Sequence, residues 1–301
     1  MKTGGGTSWY IAQIMRPFCA IAVNVFVLIS GYWGIKLKWE KLFSLNSMVT
    51  FYSLIFLAVS LILGVHSFSL RKDWMQFIPV LTKQYWFITV YFALCILSPF
   101  LNLLVEHLEK HAFQKLLLAC FGLFIIWPSC AFILNFPAVT EDAGYGIVNF
   151  MFLYLLGRYL RLYFALQIRR IWYLIGYVVS MSFCALFHIL YSYLLGFSYD
   201  SLLSYNTIFV FMGAVFLFLY FCQINIKSNI INTLAIGCLA VYVLHDNSLF
   251  SEYFFIKVCH INEFQGLNYI VLLFIIPVLI YLCCWLIEKV RINLFSFIKL
   301  N

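Results

Sequence analysis

Apolar runs of about twenty residues recur along the whole of this chain, and that is the length a helix needs to cross a hydrocarbon core about 30 Å thick. Nothing else constrains the fold as strongly. In lipid every backbone N–H and C=O must be bonded internally, so these runs are helices and not open sheet. Nine are read, over roughly 10–33, 45–65, 85–104, 115–134, 146–163, 171–195, 203–222, 230–250 and 268–288. With 65% of residues apolar and 10% charged, 301 residues could not form a soluble domain. The expectation is an all-α fold, a polytopic transmembrane helical bundle of about nine spans, making one integral-membrane domain over 1–301. The longest stretch outside the runs, around 66–84, has no room for a soluble catalytic domain.

Loop charge sets an expected orientation. With 36–41 in the cytoplasm, thirteen of the 19 lysines and arginines fall in inside loops, as the positive-inside rule requires. The N-terminus is then outside and the C-terminus cytoplasmic, in a multi-pass protein of the plasma or inner cell membrane. The basic excess lies in loops and argues for a lipid bilayer and not for nucleic acid. The opening MKTGGGTSW is too short and polar for a signal peptide and reads as an exposed segment. The ten cysteines form no CxxC pair, and nearly all lie in apolar runs, where cysteine acts as a small hydrophobe. Neither a disulfide nor a metal site is read.

Polar residues within these runs are the places to look for chemistry. Residues 23–41, VNVFVLISGYWGIKLKWEK, hold Asn24, then the step Ser30-Gly31-Tyr32, then Lys36, Lys38 and Lys41. Glycine beside serine admits either a neighbouring helix or a ligand close to the backbone. His245-Asp246-Asn247 sits near the outer end of the eighth run. It is either a base oriented by a carboxylate or a histidine bonded to a backbone carbonyl beside an interfacial aspartate. Arg158 and Arg161, three apart, share a helix face. Their forks suit phosphate, or they snorkel as anchors, as Arg169 and Arg170 do. Asn24 and Asn102 are suited to bonds between helices. Trp86 follows Tyr85 at the outer face, as an aromatic belt or a sugar platform. His188, with no acid close in sequence, reads as a core histidine, and Pro99, Pro128 and Pro277 as helix kinks.

There is no Walker A loop, GxSxG elbow or HExxH, and no transporter-type repeat. VNVFVLISGYW, however, resembles the second-helix signature of membrane acyltransferase family 3, which moves acyl groups, often acetyl, onto sugars and polysaccharides. Three later stretches agree with it in order. They are Tyr85-Trp86-Phe87-Ile88 running to Ser98-Pro99-Phe100-Leu101-Asn102, then Phe152-Leu153-Tyr154-Leu155-Leu156-Gly157-Arg158-Tyr159, then Val241-Tyr242-Val243-Leu244-His245. The resemblance implies about ten core helices with the N-terminus inside. It also implies a first helix in which a basic residue precedes a catalytic histidine by ten. Here Arg16 is followed ten residues later by Phe26, and no histidine precedes His66. The expectation is the family's ten-helix fold minus its first helix, through a late start codon or a truncated gene.

The activity so implied is acyl transfer, with acetyl-CoA as co-substrate, to a hydroxyl of a carbohydrate or lipid-linked glycan; no bound cofactor is implied. Catalysis would fall to His245 and Asp246. Donor binding would fall to Asn24, Ser30, Gly31, Tyr32, Arg158 and Arg161, and acceptor binding to Trp86 and Asn102. Two other classes stay open. One is a transporter or flippase for a lipid-linked glycan; the other is an inactive membrane partner of a full-length acyltransferase.

Overall fold

The structure, a computed structural model, describes residues 6–195, 200–249, 251–260, 263–264 and 266–299. Residues 1–5 of the opening segment, and Phe250 at the expected end of the eighth run, lie outside them. The described residues form helices and connecting turns, with no strand among them. Among the described residues, seven helices are long and apolar enough to span, over Ser8–Trp33, Trp39–Ile62, Trp86–His107, Lys110–Leu134, Arg170–Leu194, Asp200–Cys222 and Asn268–Phe295. The chain is a multi-pass membrane protein with a polytopic helical fold.

Two of the nine expected runs differ from the expectation. The fifth is a helix of only 17 residues, α8 (Ile147–Tyr163) below, about 25 Å long at 1.5 Å per residue. The eighth breaks into two short helices, and the cause lies in its neighbour, described with the second unit.

Contacts divide the chain into two units interleaved in sequence: 1–37 with 90–225, and 38–89 with 226–301. The first holds α1 (Thr7–Ala20), α2 (Ala22–Trp33), α5 (Trp86–His107) from residue 90 on, α6 (Lys110–Phe121), α7 (Trp127–Leu134), α8, α9 (Arg170–Leu195) and α10 (Ile208–Cys222). A π-helical turn, Gly122–Ile126, joins α6 to α7 just before Pro128. It absorbs the register that a proline without an N–H would break. The core of this unit is the crossing of α2 with α8. A Cβ on Gly31 would run into the Tyr154 carbonyl, and one on Gly157 would lie 2.5 Å from Leu28 O. The glycine step therefore serves helix-to-helix approach.

The second unit holds α3 (Trp39–Ile62), α4 (Leu70–Asp73), the first turn of α5, α11 (Asn229–Ala235), α12 (Cys238–His245), α13 (Ser251–Tyr253) and α14 (Gly266–Lys299). Between α11 and α12 the helix stops at Ile236–Gly237, and the Trp285 ring fills the space a Cβ on Gly237 would need, 2.7 Å away. Backbone carbonyls freed inside a membrane need donors. A side chain of α14 supplies one: Trp285 Nε1 donates to Thr233 O at 3.0 Å, and Tyr281 Oη adds a second donor, at 2.8 Å, to Leu234 O, which already accepts from Gly237 N at 3.2 Å.

Candidate functional site at the end of α2

α2 ends because Gly34 turns to φ 73°, a conformation that suits glycine. The N–H and C=O of the next residue, Ile35, then lose their helical partners. Tyr154 on α8 and Asn102 on α5 replace them. Ile35 N donates to Tyr154 Oη at 2.9 Å, Tyr154 Oη donates to Asn102 Oδ1 at 2.7 Å, and Asn102 Nδ2 donates to Ile35 O at 3.0 Å. This closed ring of bonds fixes the chain as it leaves the helix. It also uses up the Asn102 amide.

One turn after Tyr154, Arg158 lies against Gly34, where a Cβ would stand 2.8 Å from Nη1. Arg158 is half-buried, and its Nε is fully buried with no hydrogen-bond partner. No ion pair reaches it among the described residues. Arg161, exposed, donates to Tyr32 Oη at 3.2 Å, and its guanidinium lies 5.0 Å from the ring centres of both Tyr32 and Trp33. One arginine is thus stacked on aromatics while its neighbour is held without a counter-charge. Ser30 bonds back to Phe26 O at 3.0 Å and stands 3.4 Å from Tyr91 Oη.

Of the residues proposed from sequence for the donor, Ser30, Gly31, Tyr32, Arg158 and Arg161 gather here, with Asn102 among them. Gly31 packs on the Tyr154 backbone. Asn24 does not join them. It lies about two turns up α2, fully buried, with Nδ2 donating to Tyr205 O at 2.8 Å. Sequence reasoning missed Tyr154. Its signal was the spacing, four residues before Arg158 and so on the same helix face.

In the second unit His245 ends α12, and its Nδ1–H donates to Val241 O at 2.7 Å. That fixes the tautomer and leaves the lone pair on Nε2. Asp246 is exposed, and the ring's bond to a carbonyl one turn back is the second of the two arrangements read from the sequence. Asn247, buried, donates to Tyr85 Oη at 2.6 Å. Trp86, half-buried, begins α5 beside Phe87.

His188, read as a core histidine, is fully buried in the first unit, with Nε2 2.5 Å from Gln13 Oε1 and 4.0 Å from Asp200 Oδ1. Arg16 holds that carboxylate at 2.8 Å. The acid lies twelve residues on, in the turn after α9, beyond the reach of a search for neighbours in sequence.

A helical membrane protein with paired arginines at a helix end fits several classes. Comparison with known families decides among them: residues 2–289 match the model described as the acyltransferase domain. The chain belongs to that family, membrane acyltransferase family 3, and is a membrane acyltransferase. No curated protein matches it, and no solved structure does.

Proposed function

We propose that the protein transfers an acetyl group from acetyl-CoA, taken from the cytoplasmic side, to a hydroxyl of a cell-surface sugar or polysaccharide. The observation that carries this reading is Arg158, a half-buried guanidinium whose Nε has no partner, pinned against Gly34. A guanidinium partly withdrawn from water and without a counter-ion is open to an anion, and the phosphates of coenzyme A are the counter-ions a guanidinium fork suits best. Arg161, Tyr32 and Trp33 frame the same helix end. In the reaction the hydroxyl oxygen attacks the thioester carbonyl, the C–S bond breaks, and coenzyme A leaves as the thiol. His245, with its lone pair on Nε2, is the residue assigned to take the hydroxyl proton. The reaction requires a site that excludes water, so that hydrolysis of the thioester does not compete.

The test is turnover by the purified protein in lipid nanodiscs, with ¹⁴C-acetyl-CoA and a glycan fraction as acceptor. Label on glycan is expected. Arg158→Ala should raise the donor KM about tenfold to a hundredfold, the equivalent of about 1.5–3 kcal/mol for a hydrogen bond to a charged group, and Arg158→Lys should restore part of it. Glycan movement across the bilayer without consumption of acetyl-CoA would overturn the reading.

A further inference from the structure

The first unit has a second polar cluster, at the opposite end of α2 and α8 from Arg158. Three asparagines gather there around one corner. Asn24 on α2 donates from Nδ2 to Tyr205 O at 2.8 Å, and Asn149 on α8 donates from Nδ2 to Gly144 O at 3.0 Å. Asn206 follows Tyr205 directly. The two loops are stitched together: Tyr205 N donates to Ala143 O at 3.0 Å, and a Cβ on Gly144 would stand 2.7 Å from Asn206 N. All three side chains are buried, at 0%, 4% and 1% exposure for Asn24, Asn149 and Asn206.

Their amides are not satisfied. Asn24 Oδ1, Asn149 Oδ1 and both Oδ1 and Nδ2 of Asn206 are buried with no hydrogen-bond partner. Exchanging amide O and N does not remove the problem. Asn24 and Asn149 each face a backbone carbonyl, so the NH₂ must stay on that side and the oxygen must stay orphaned. Asn206 is unmet in either orientation. Folded proteins pair nearly all such groups with protein or with water, so four at one corner point to a guest that donates and accepts, water or the hydroxyls of a ligand.

The inventory selects its chemistry. Three carbonyl oxygens repel an anion. A bare cation would use the oxygens and leave the Asn206 NH₂ unmet. Hydroxyls donate and accept at once, and so meet both. Beside the corner, Tyr145 is 41% exposed and its ring centre lies 4.7 Å from that of Tyr205, an aromatic face for the C–H side of a pyranose. The corner adjoins the loop of Asp142 and the turn of Asp200, the end that loop charge puts outside the cell.

We propose that Asn24, Asn149 and Asn206, with the Tyr145–Tyr205 pair, bind ring hydroxyls of the carbohydrate acceptor. This rests on the acyl-transfer reading for the identity of the sugar as substrate. It places acceptor recognition on residues other than Trp86 and Asn102.

The test is equilibrium dialysis of the full protein in nanodiscs, without donor, against radiolabelled methyl glycosides of glucose, galactose and N-acetylglucosamine. Asn206→Leu breaks no bond within the protein, so its melting temperature should match or exceed that of the wild type while glycoside affinity falls tenfold or more. Tyr145→Ala, at an exposed position, should also weaken binding about tenfold. If no glycoside binds the wild type, or Asn206→Leu binds as well as it does, the proposal falls. It falls equally if sodium, compared with choline, raises the melting temperature through Asn206 while no glycoside binds. Asn206-dependent glycoside binding by a protein that never consumes ¹⁴C-acetyl-CoA would sustain this site and sink the acyl-transfer reading. Acetyl transfer with an unchanged acceptor KM in Asn206→Leu would do the reverse.

Discussion

Two helix interruptions, one in each unit, are closed by the same device and left in different electrostatic states. At Gly34–Ile35 the phenol of Tyr154 and the amide of Asn102 take up the freed backbone groups. At Ile236–Gly237 the indole of Trp285 takes up the Thr233 carbonyl, and the phenol of Tyr281 adds a donor to the Leu234 carbonyl. Beside the first stands Arg158, with an unmet Nε. On the helix that closes the second stands Arg291, forked onto Glu288 through two bonds of 2.7 Å, with the Tyr52 hydroxyl on the same carboxylate at 2.7 Å. A polar group at membrane depth is therefore not a site merely by being there. Where every charge has found its partner, the interruption is architecture. Where a guanidinium is left without one, as at Arg158, an anion is the ligand we propose.

The sharpest way to break this comparison is to remove each arginine. Arg291→Ala leaves Glu288, 5% exposed, as a buried charge without its counter-ion, and should cost about 3–5 kcal/mol of stability. Arg158→Ala removes no bond within the protein and should stay within about 0.5 kcal/mol of the wild type, while impairing donor binding. Unfolding of both variants in lipid, followed by fluorescence, measures the gap. Equal losses would erase the distinction between the two interruptions.

A smaller effect sharpens it. Tyr154→Phe leaves Ile35 N–H and Asn102 Oδ1 unpaired and should cost about 1–3 kcal/mol. It should also raise the donor KM, because the turn that backs Arg158 loosens. Trp285→Phe deprives only the Thr233 carbonyl and should cost about 1 kcal/mol, with the donor KM unchanged. A rise in KM from Trp285→Phe would mean that the second interruption also serves the donor.

How much of this could be read in the sequence follows from the range of the interactions. Apolar length found the seven long spans, since length and hydropathy are local. It could not find the break at Gly237, because the ring that occupies the glycine's missing side chain belongs to Trp285, 48 residues later. The cluster of Ser30, Tyr32, Arg158 and Arg161 was legible because charges and aromatics collect at helix ends. Tyr154 was not, since one tyrosine in an aromatic-rich run looks like any other until Ile35 is seen to need it. Asn24 and Asn102 were marked as polar, but their partners, Tyr205 and Ile35, are set by tertiary packing. For His245 the orienting group was a carbonyl four residues back, as helical geometry allows, and the adjacent Asp246 drew attention by proximity in sequence alone.

The weakest expected effect concerns another fully paired charge of the second unit, in the turn ahead of α5. Asp73 is buried at 3% exposure, with Oδ1 2.9 Å from His66 Nε2 and Oδ2 accepting from Ser69 N at 2.7 Å. Burial pushes its carboxyl up, but the Ser69 N–H and His66 outweigh burial and hold the pKa below its ordinary value of 3.8. A carboxyl lowered on folding adds stability above its unfolded pKa and loses it as pH falls through the folded one. Acidification below about pH 4 should therefore open the segment from His66 to Gln84, seen as faster hydrogen exchange at the Ser69 amide. In Asp73→Asn that acid-dependent increase should vanish, and the donor KM should stay at the wild-type value. A KM that followed the state of Asp73 would make this pair part of the working site and end its reading as architecture.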